Sequence, residues 1–212
     1  MKIHDCIQGS DEWLMARLAI PTASEFFNFT APATGKYRTG RKADAPSQMV
    51  QSYIARLIAE DVTTWDPPTF ASPWMERGHA LEAEAIAEYE LQHGVTCKRV
   101  GFITNNGAGC SPDALVDDDG LLEIKCPSAA KMVLHMMGGD AVLPAEYAVQ
   151  AHGQLVVTER QWVVCKIYHP ELPPLEIRTE RNEYTDQVEA NLERFQNELT
   201  DTKARLQTRY EL

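Results

Sequence analysis

No two cysteines stand at metal-site spacing. The five (Cys6, Cys97, Cys110, Cys126 and Cys165) are scattered, odd in number and never C-x-x-C. That excludes a zinc knuckle or an iron–sulfur cluster, and predicts buried free thiols in a reducing compartment. No apolar run approaches the ~18–20 residues of a membrane span. MKIHDCIQGSDEW lacks the apolar core of a signal peptide, so the expectation is a cytoplasmic protein with no membrane contact. Repeats, low-complexity tracts and linkers are also missing, and residues 1–212 are expected to form one domain. Positive charge is scarce, with 20 Lys and Arg against 31 Asp and Glu, net −11. Such a balance argues against generic binding of polyanions. The exception is GKYRTGRK, residues 35–42, which reads either as a solvated loop or as a local nucleic-acid contact.

Several helices announce themselves. Ser10 can cap a short helix through about Leu18, and Thr22 with Glu25 has the form of a capping box opening TASEFFNF. From Ser47, apolar Val50, Tyr53, Ile54, Leu57 and Ile58 follow helical spacing. After the connector WDPPTF, a long helix starts at the Ser72 cap and stops at Gly94. Strand character takes over in VTCKRVGFIT (95–104), DALV (113–116) and LLEIKC (121–126), the last two joined by a turn at Asp117–Gly120. A helix from Pro144, strands QWVVCKIYHP and LEIRTE, and a polar helix from about Tyr184 complete the chain. The fold class expected is α/β, a central mixed β-sheet flanked by helices.

The stretch CSPDALVDDDGLLEIKCP holds five acids and one lysine. It is not a calcium loop. With Gly120 as the sixth residue, positions 1 and 12 would be Leu115 and Cys126, and neither offers a carboxylate. Asp117, Asp118 and Asp119 suit the hairpin turn. Asp113, Glu123 and Lys125 remain. Strand alternation puts Leu122, Ile124 and Cys126 on one face and Leu121, Glu123 and Lys125 on the other, and the hairpin returns Asp113 beside Glu123. Two converging carboxylates call for a cation, and an oxygen set suits Mg²⁺. A neighbouring lysine can then orient or deprotonate a water attacking a phosphodiester. D…E-x-K by itself also fits a solvated strand face. Glu82, on the border of a helical stripe formed by Trp74, Gly78, Leu81 and Ala85, reads either as a site acid or as a solvated glutamate; Glu84, Glu88 and Glu90 read as solvated. Tyr147, Gln150 and Gln154 form a polar helical stripe that lines a site or faces water.

Together, QGSDEWLMARLAIPTASEF, RGHALEAEAIAEYE, CSPDALVDDDGLLEIKCP and YAVQAHGQLVVT resemble the phage lambda-type exonuclease, or YqaJ-like viral recombinase, family of the PD-(D/E)XK nuclease superfamily. The blocks run in family order from about residue 8 to residue 158. The resemblance implies an alkaline, processive, Mg²⁺-dependent exonuclease. It would degrade one strand of linear double-stranded DNA from the 5′ end, release 5′-mononucleotides and leave a 3′ single strand for a single-strand annealing recombinase protein. By matching position it makes Asp113, Glu123 and the Ile124 carbonyl ligands of two Mg²⁺ ions (Mn²⁺ as a substitute), and Lys125 the water-activating lysine. Glu82 matches an accessory acid and Gln150 an active-site glutamine. Arg17, Ser24 and Ser111 match the receptor for the 5′-terminal phosphate, a role for which a guanidinium fork is suited.

The loop TAPATGKYR departs from the family's usual basic probe of the duplex, leaving Lys36, Arg38 or Arg41 for that role. The resemblance further implies a ring-shaped homotrimer, phage- or prophage-encoded and acting in a bacterial cell, whose closed ring would let an acidic protein retain DNA. Alternatives on the same fold are a structure-specific or restriction-type endonuclease, and a non-catalytic DNA-end-binding scaffold.

Overall fold

A computed structural model describes residues 1–40, 45–63, 73–139 and 142–210, without the side chains of 73–79. The Ser72 cap, the WDPPTF connector, Arg41, and Trp74 and Gly78 of the apolar stripe lie outside the described residues or side chains.

The expected fold class is what forms. Five strands, β2 (Cys97–Lys98), β5 (Ala114–Val116), β6 (Gly120–Lys125), β7 (Trp162–His169) and β8 (Leu172–Glu180), make a mixed sheet in the order β2-β5-β6-β7-β8. All neighbours are antiparallel except β6 and β7, which run parallel across the α-helical crossover between them. A second, antiparallel sheet, β1-β3-β4, joins β1 (Lys2–His4) and β3 (Phe102–Asn105) to β4 (Ala108–Cys110). The predicted continuous strand over 95–104 is therefore two short strands in different sheets, parted at Arg99–Gly101. Gly101 is packed against Cys6, where a Cβ would meet a backbone carbonyl oxygen at 2.1 Å.

Helices cover both faces. On one, α2 (Gln48–Thr63), α5 (Ala145–Thr158) and α6 (Glu183–Tyr210) bury Tyr53, Ile54, Leu57, Leu155, Leu192 and Phe195 against Leu121 and Val163. On the other, α3 (Pro73–His93) lays Ala85, Ile86 and Tyr89 over Leu122, Ile124 and Val164. Leu121 and Leu122 fall in different cores, as strand alternation requires. A further helix, α4 (Ala129–Gly138), begins at the Ser128 cap directly after β6.

Ser10 caps α1 (Asp11–Arg17) through the Trp13 amide, as expected, but the Thr22–Glu25 capping box does not form. The Tyr53 hydroxyl takes the Thr22 amide at 3.1 Å, the bond Glu25 would have made. Glu25 turns instead to Arg56 at 3.1 Å and to Asn28 at 2.7 Å. With the cap lost, Ala23–Asn28 winds as a 3₁₀ segment. Gly153 of α5 lets that segment approach, because a Cβ there would meet a Phe26 ring carbon at 2.7 Å.

Candidate active site

The β5–β6 hairpin positions the acids. Its turn behaves as a turn: Asp117, Asp118 and Asp119 are exposed, and Arg160 clamps the carbonyls of Asp117 at 3.0 Å and Gly120 at 2.7 Å. Ala114 pairs with Leu122, so Asp113 arrives opposite Glu123. The Ile124 amide donates to Asp113 Oδ2 at 2.5 Å. Glu123, buried to 4% exposure, is held from two directions. Its Oε1 accepts from Lys125 Nζ and Gln150 Nε2, both at 2.7 Å, and its Oε2 accepts from Gln154 Nε2 at 2.5 Å. Gln150 also accepts from Lys125 Nζ at 2.9 Å. The Gln150–Gln154 stripe, spaced by one helical turn, thus faces the carboxylates and not water.

Electrostatically the hairpin holds more negative charge than it can settle alone. Burial, then the Glu123 charge, raise the Asp113 pKa well above the carboxylate range; the Ile124 hydrogen bond and Lys125 offset only part of this, and Glu82 adds to the rise. Burial opposes the charge on Lys125, but Glu123 and Asp113 outweigh it and hold the ammonium above its ordinary pKa. Burial likewise pushes Cys165 up to about 12, so that thiol, in register with Glu123, stays protonated. All five cysteines are free, Cys110 and Cys165 fully buried.

Crowded buried carboxylates of this kind are stabilised by a cation, and the donor set fits a hard divalent ion. Among the described residues no three His, Cys, Asp or Glu side chains converge as a metal cluster. An ion at the hairpin would therefore take two carboxylates and complete its shell with backbone oxygen and water, the habit of Mg²⁺. Glu82 and Asp113 share a cavity of about 450 Å³ with Arg99, Gln8 and Cys6, with Arg99 Nη2 4.0 Å from Glu82. The other helix acids are engaged, contrary to expectation: Glu84 accepts from Tyr168, Glu88 from Lys166 and Glu90 from the Cys97 amide.

Beside the acids lies a pocket of about 40 Å³ lined by Arg17, Ser24, Ser111, Gln150 and Gln154. The structure thus brings together the three residues expected to hold phosphate, and Gln150 and Gln154 border both pocket and carboxylates. Trp13, which sequence reasoning passed over, organises this pocket. Its indole nitrogen donates to Ser111 Oγ at 2.8 Å, and the Arg17 guanidinium stacks on its ring at 4.1 Å. The signal was available, since Trp13 and Arg17 are one helical turn apart. Of the expected probes, Lys36 is exposed, whereas Arg38 is tied to the Phe27 carbonyl at 2.7 Å.

A mixed sheet carrying D…E-x-K on a central hairpin defines the class, the PD-(D/E)XK nuclease superfamily. Residues 12–161 match the YqaJ-like viral recombinase domain, and the chain belongs to that family. It is similar to the alkaline exonuclease LHK-Exo from Laribacter hongkongensis, at 31% identity and TM-score 0.70 over 94% of this chain and 99% of that one. A structure of LHK-Exo in complex with dAMP matches equally well. A phage-related exonuclease from Haemophilus somnus 129PT, 12% identical with TM-score 0.64 over 88% of this chain and 96% of that one, shares the fold. No curated protein matches.

Proposed function

We propose that the chain, acting as one exonuclease domain, is a Mg²⁺-dependent processive 5′→3′ exonuclease of double-stranded DNA. It releases 5′-mononucleotides and leaves 3′ single strands for an annealing recombinase. One observation carries the reading: the Asp113–Glu123–Lys125 cluster adjoins a pocket of Arg17, Ser24 and Ser111, with Gln150 and Gln154 shared by both. An enzyme cutting internally has no use for a receptor for a terminal phosphate. That the relative LHK-Exo is seen with dAMP, a mononucleotide, agrees with the proposed product.

The terminal phosphate docks on the Arg17 fork and the hydroxyls of Ser24 and Ser111, which sets the first phosphodiester over the hairpin. Asp113, Glu123 and the Ile124 carbonyl, with Glu82 nearby, would hold the metal. When bound, Mg²⁺ lowers the pKa of a water and stabilises charge on the phosphate oxygens. In the metal-free protein Glu123 holds Lys125 as an ammonium that donates to its carboxylate. The part of Lys125 is to orient the attacking water and to face the developing negative charge. Gln150 fixes Lys125 and Glu123 relative to one another. Each cleavage leaves a new 5′ phosphate for the same pocket.

A homotrimeric ring would supply processivity, and α4 offers apolar surface for such contacts: Val133, Leu134 and Met137 are exposed on it. Among the described residues no helix is long and apolar enough to cross a membrane, and action in the bacterial cytoplasm suits a DNA substrate.

The test is digestion of a linear duplex phosphorylated on one 5′ end only, with and without Mg²⁺, beside a closed circle. Mononucleotides from the phosphorylated strand alone, with the circle intact, are expected. Cutting of circles would give the endonuclease reading instead, and binding without cutting the scaffold reading.

A further inference from the structure

Gln154 is 1% exposed, and its two amide atoms have very different fates. The atom 2.5 Å from Glu123 Oε2 must be the NH₂ group, since a carbonyl oxygen there would face a carboxylate. That fixes the orientation of the amide, and leaves Gln154 Oε1 buried with no hydrogen-bond partner. It is the one buried side-chain nitrogen or oxygen so placed among the described residues. Leaving a buried amide oxygen without a donor is unfavourable, so the chain tolerates a defect beside its catalytic carboxylates. The same side chain lines the pocket of Arg17, Ser24 and Ser111, a space of about 40 Å³.

We propose that Gln154 is a positioning residue with two ends. Nε2 fixes the Glu123 carboxylate for metal binding, while Oε1, too enclosed here to hold a water, gains its missing donor when the phosphate pocket is filled. Filling the pocket then orders the amide, and the amide orders Glu123. A terminal phosphate in place and a metal-ready carboxylate become one event. The second half rests on the phosphate-pocket reading given above; the first does not. Gln150 makes a different set of contacts, to Glu123 Oε1 and Lys125, so the two glutamines are not redundant.

The test compares the full-length wild type with Gln154→Met, which keeps length and volume but has neither donor nor acceptor. Two measurements avoid turnover: calorimetric titration with Mn²⁺, and binding in EDTA to hairpin duplexes ending in 5′ phosphate or 5′ hydroxyl. Metal affinity is expected to fall roughly 10-fold or more, as for other groups that orient a ligand. The preference for phosphorylated ends is expected to shrink several-fold. A purely structural glutamine would lower the melting temperature and move neither reading. Unchanged metal affinity and unchanged end preference would overturn the proposal. Loss of metal affinity in a protein whose wild type ignores the 5′ phosphate would overturn the coupling and the pocket reading, and leave only the hold on Glu123. Should Gln154→Met not fold, Gln154→Asn, too short to span both partners, gives the same readings.

Discussion

Two lysines on neighbouring strands, Lys125 and Lys166, are both clasped by carboxylates, on opposite faces of the central sheet. Lys166 is completely buried on the α3 face, bonded to Glu88 at 3.0 Å and Glu176 at 2.9 Å, with the rings of Tyr89 and Tyr168 within 6 Å. Lys125, on the α5 face, bonds Glu123 and Gln150 and keeps 23% of its side chain exposed. The difference is in what remains unsettled. Around Lys166 the acids reach toward solvent or toward another base, as Glu176 does to His93 at 2.6 Å. Around Lys125, Asp113 has its pKa driven up by burial and by Glu123, and both of its neighbouring cavities open on polar groups. A buried ion pair by itself therefore says nothing about function. An excess of buried charge of one sign, next to space, does.

The largest expected effect breaks the functional side. Lys125→Met should lower the cleavage rate roughly 10²–10³-fold, the usual cost of removing one group aimed at developing charge. Asp113→Asn should abolish metal-dependent cleavage yet stabilise the metal-free protein. The sign follows from the raised folded-state pKa of Asp113. Such an acid binds its proton more tightly when folded, so stability falls as pH climbs from the ordinary carboxylate range through the raised value, and stays lower above it. Asparagine removes that fall. Melting curves without metal should separate the variant from wild type at alkaline pH and bring them together in acid; a variant less stable at alkaline pH would contradict the charge excess.

Next in size, Lys166→Met should cost about 3 kcal/mol of stability, the lower end for stripping one partner from a buried pair, because Glu176 retains His93. Cleavage at a permissive temperature should persist. Urea melts and a rate measured well below the transition check both halves, and loss of activity in a folded Lys166→Met protein would show the two faces to be coupled. Arg17→Ala comes third. It should slow digestion of 5′-phosphorylated ends about 10–100-fold, the worth of one or two hydrogen bonds to a charged group, and 5′-hydroxyl ends far less.

These contrasts also show which parts of the molecule were legible in the chain. Period-two alternation in LLEIKC was enough to put Glu123 and Lys125 together, because a hairpin has only two faces and one of them must be apolar. Helical spacing found the buried face of α2 for the same reason. Lys166 was invisible: it sits in the equally regular run WVVCKIYH, and its neutralising acids come from 10 and 78 residues away. The β3–β4 hairpin went unread although Asn106 and Gly107, at φ 48° and 73°, form the Asn-Gly turn that is its strongest local signal. The capping box failed because a tyrosine 31 residues downstream took its donor. Local pattern decides which face a residue occupies; long-range partners decide what that residue does there.

The smallest expected effect is the most discriminating test of that view. Glu88 and Glu176 hold the same ammonium at nearly the same distance, but the Glu88 side chain is 40% exposed and that of Glu176 17%. Water already solvates Glu88, so Glu88→Gln should cost no more than about 1 kcal/mol, and less in high salt. Lys166 keeps Glu176 in that variant, and its charge stays compensated. Glu176→Gln should cost more, since it strips the better-buried partner and leaves His93 without its carboxylate. Urea melts of both variants at low and high salt give the comparison directly. Equal losses would mean that distance, not burial, sets the worth of the pairs around Lys166, and the contrast with Lys125 would then rest on its neighbouring cavities alone.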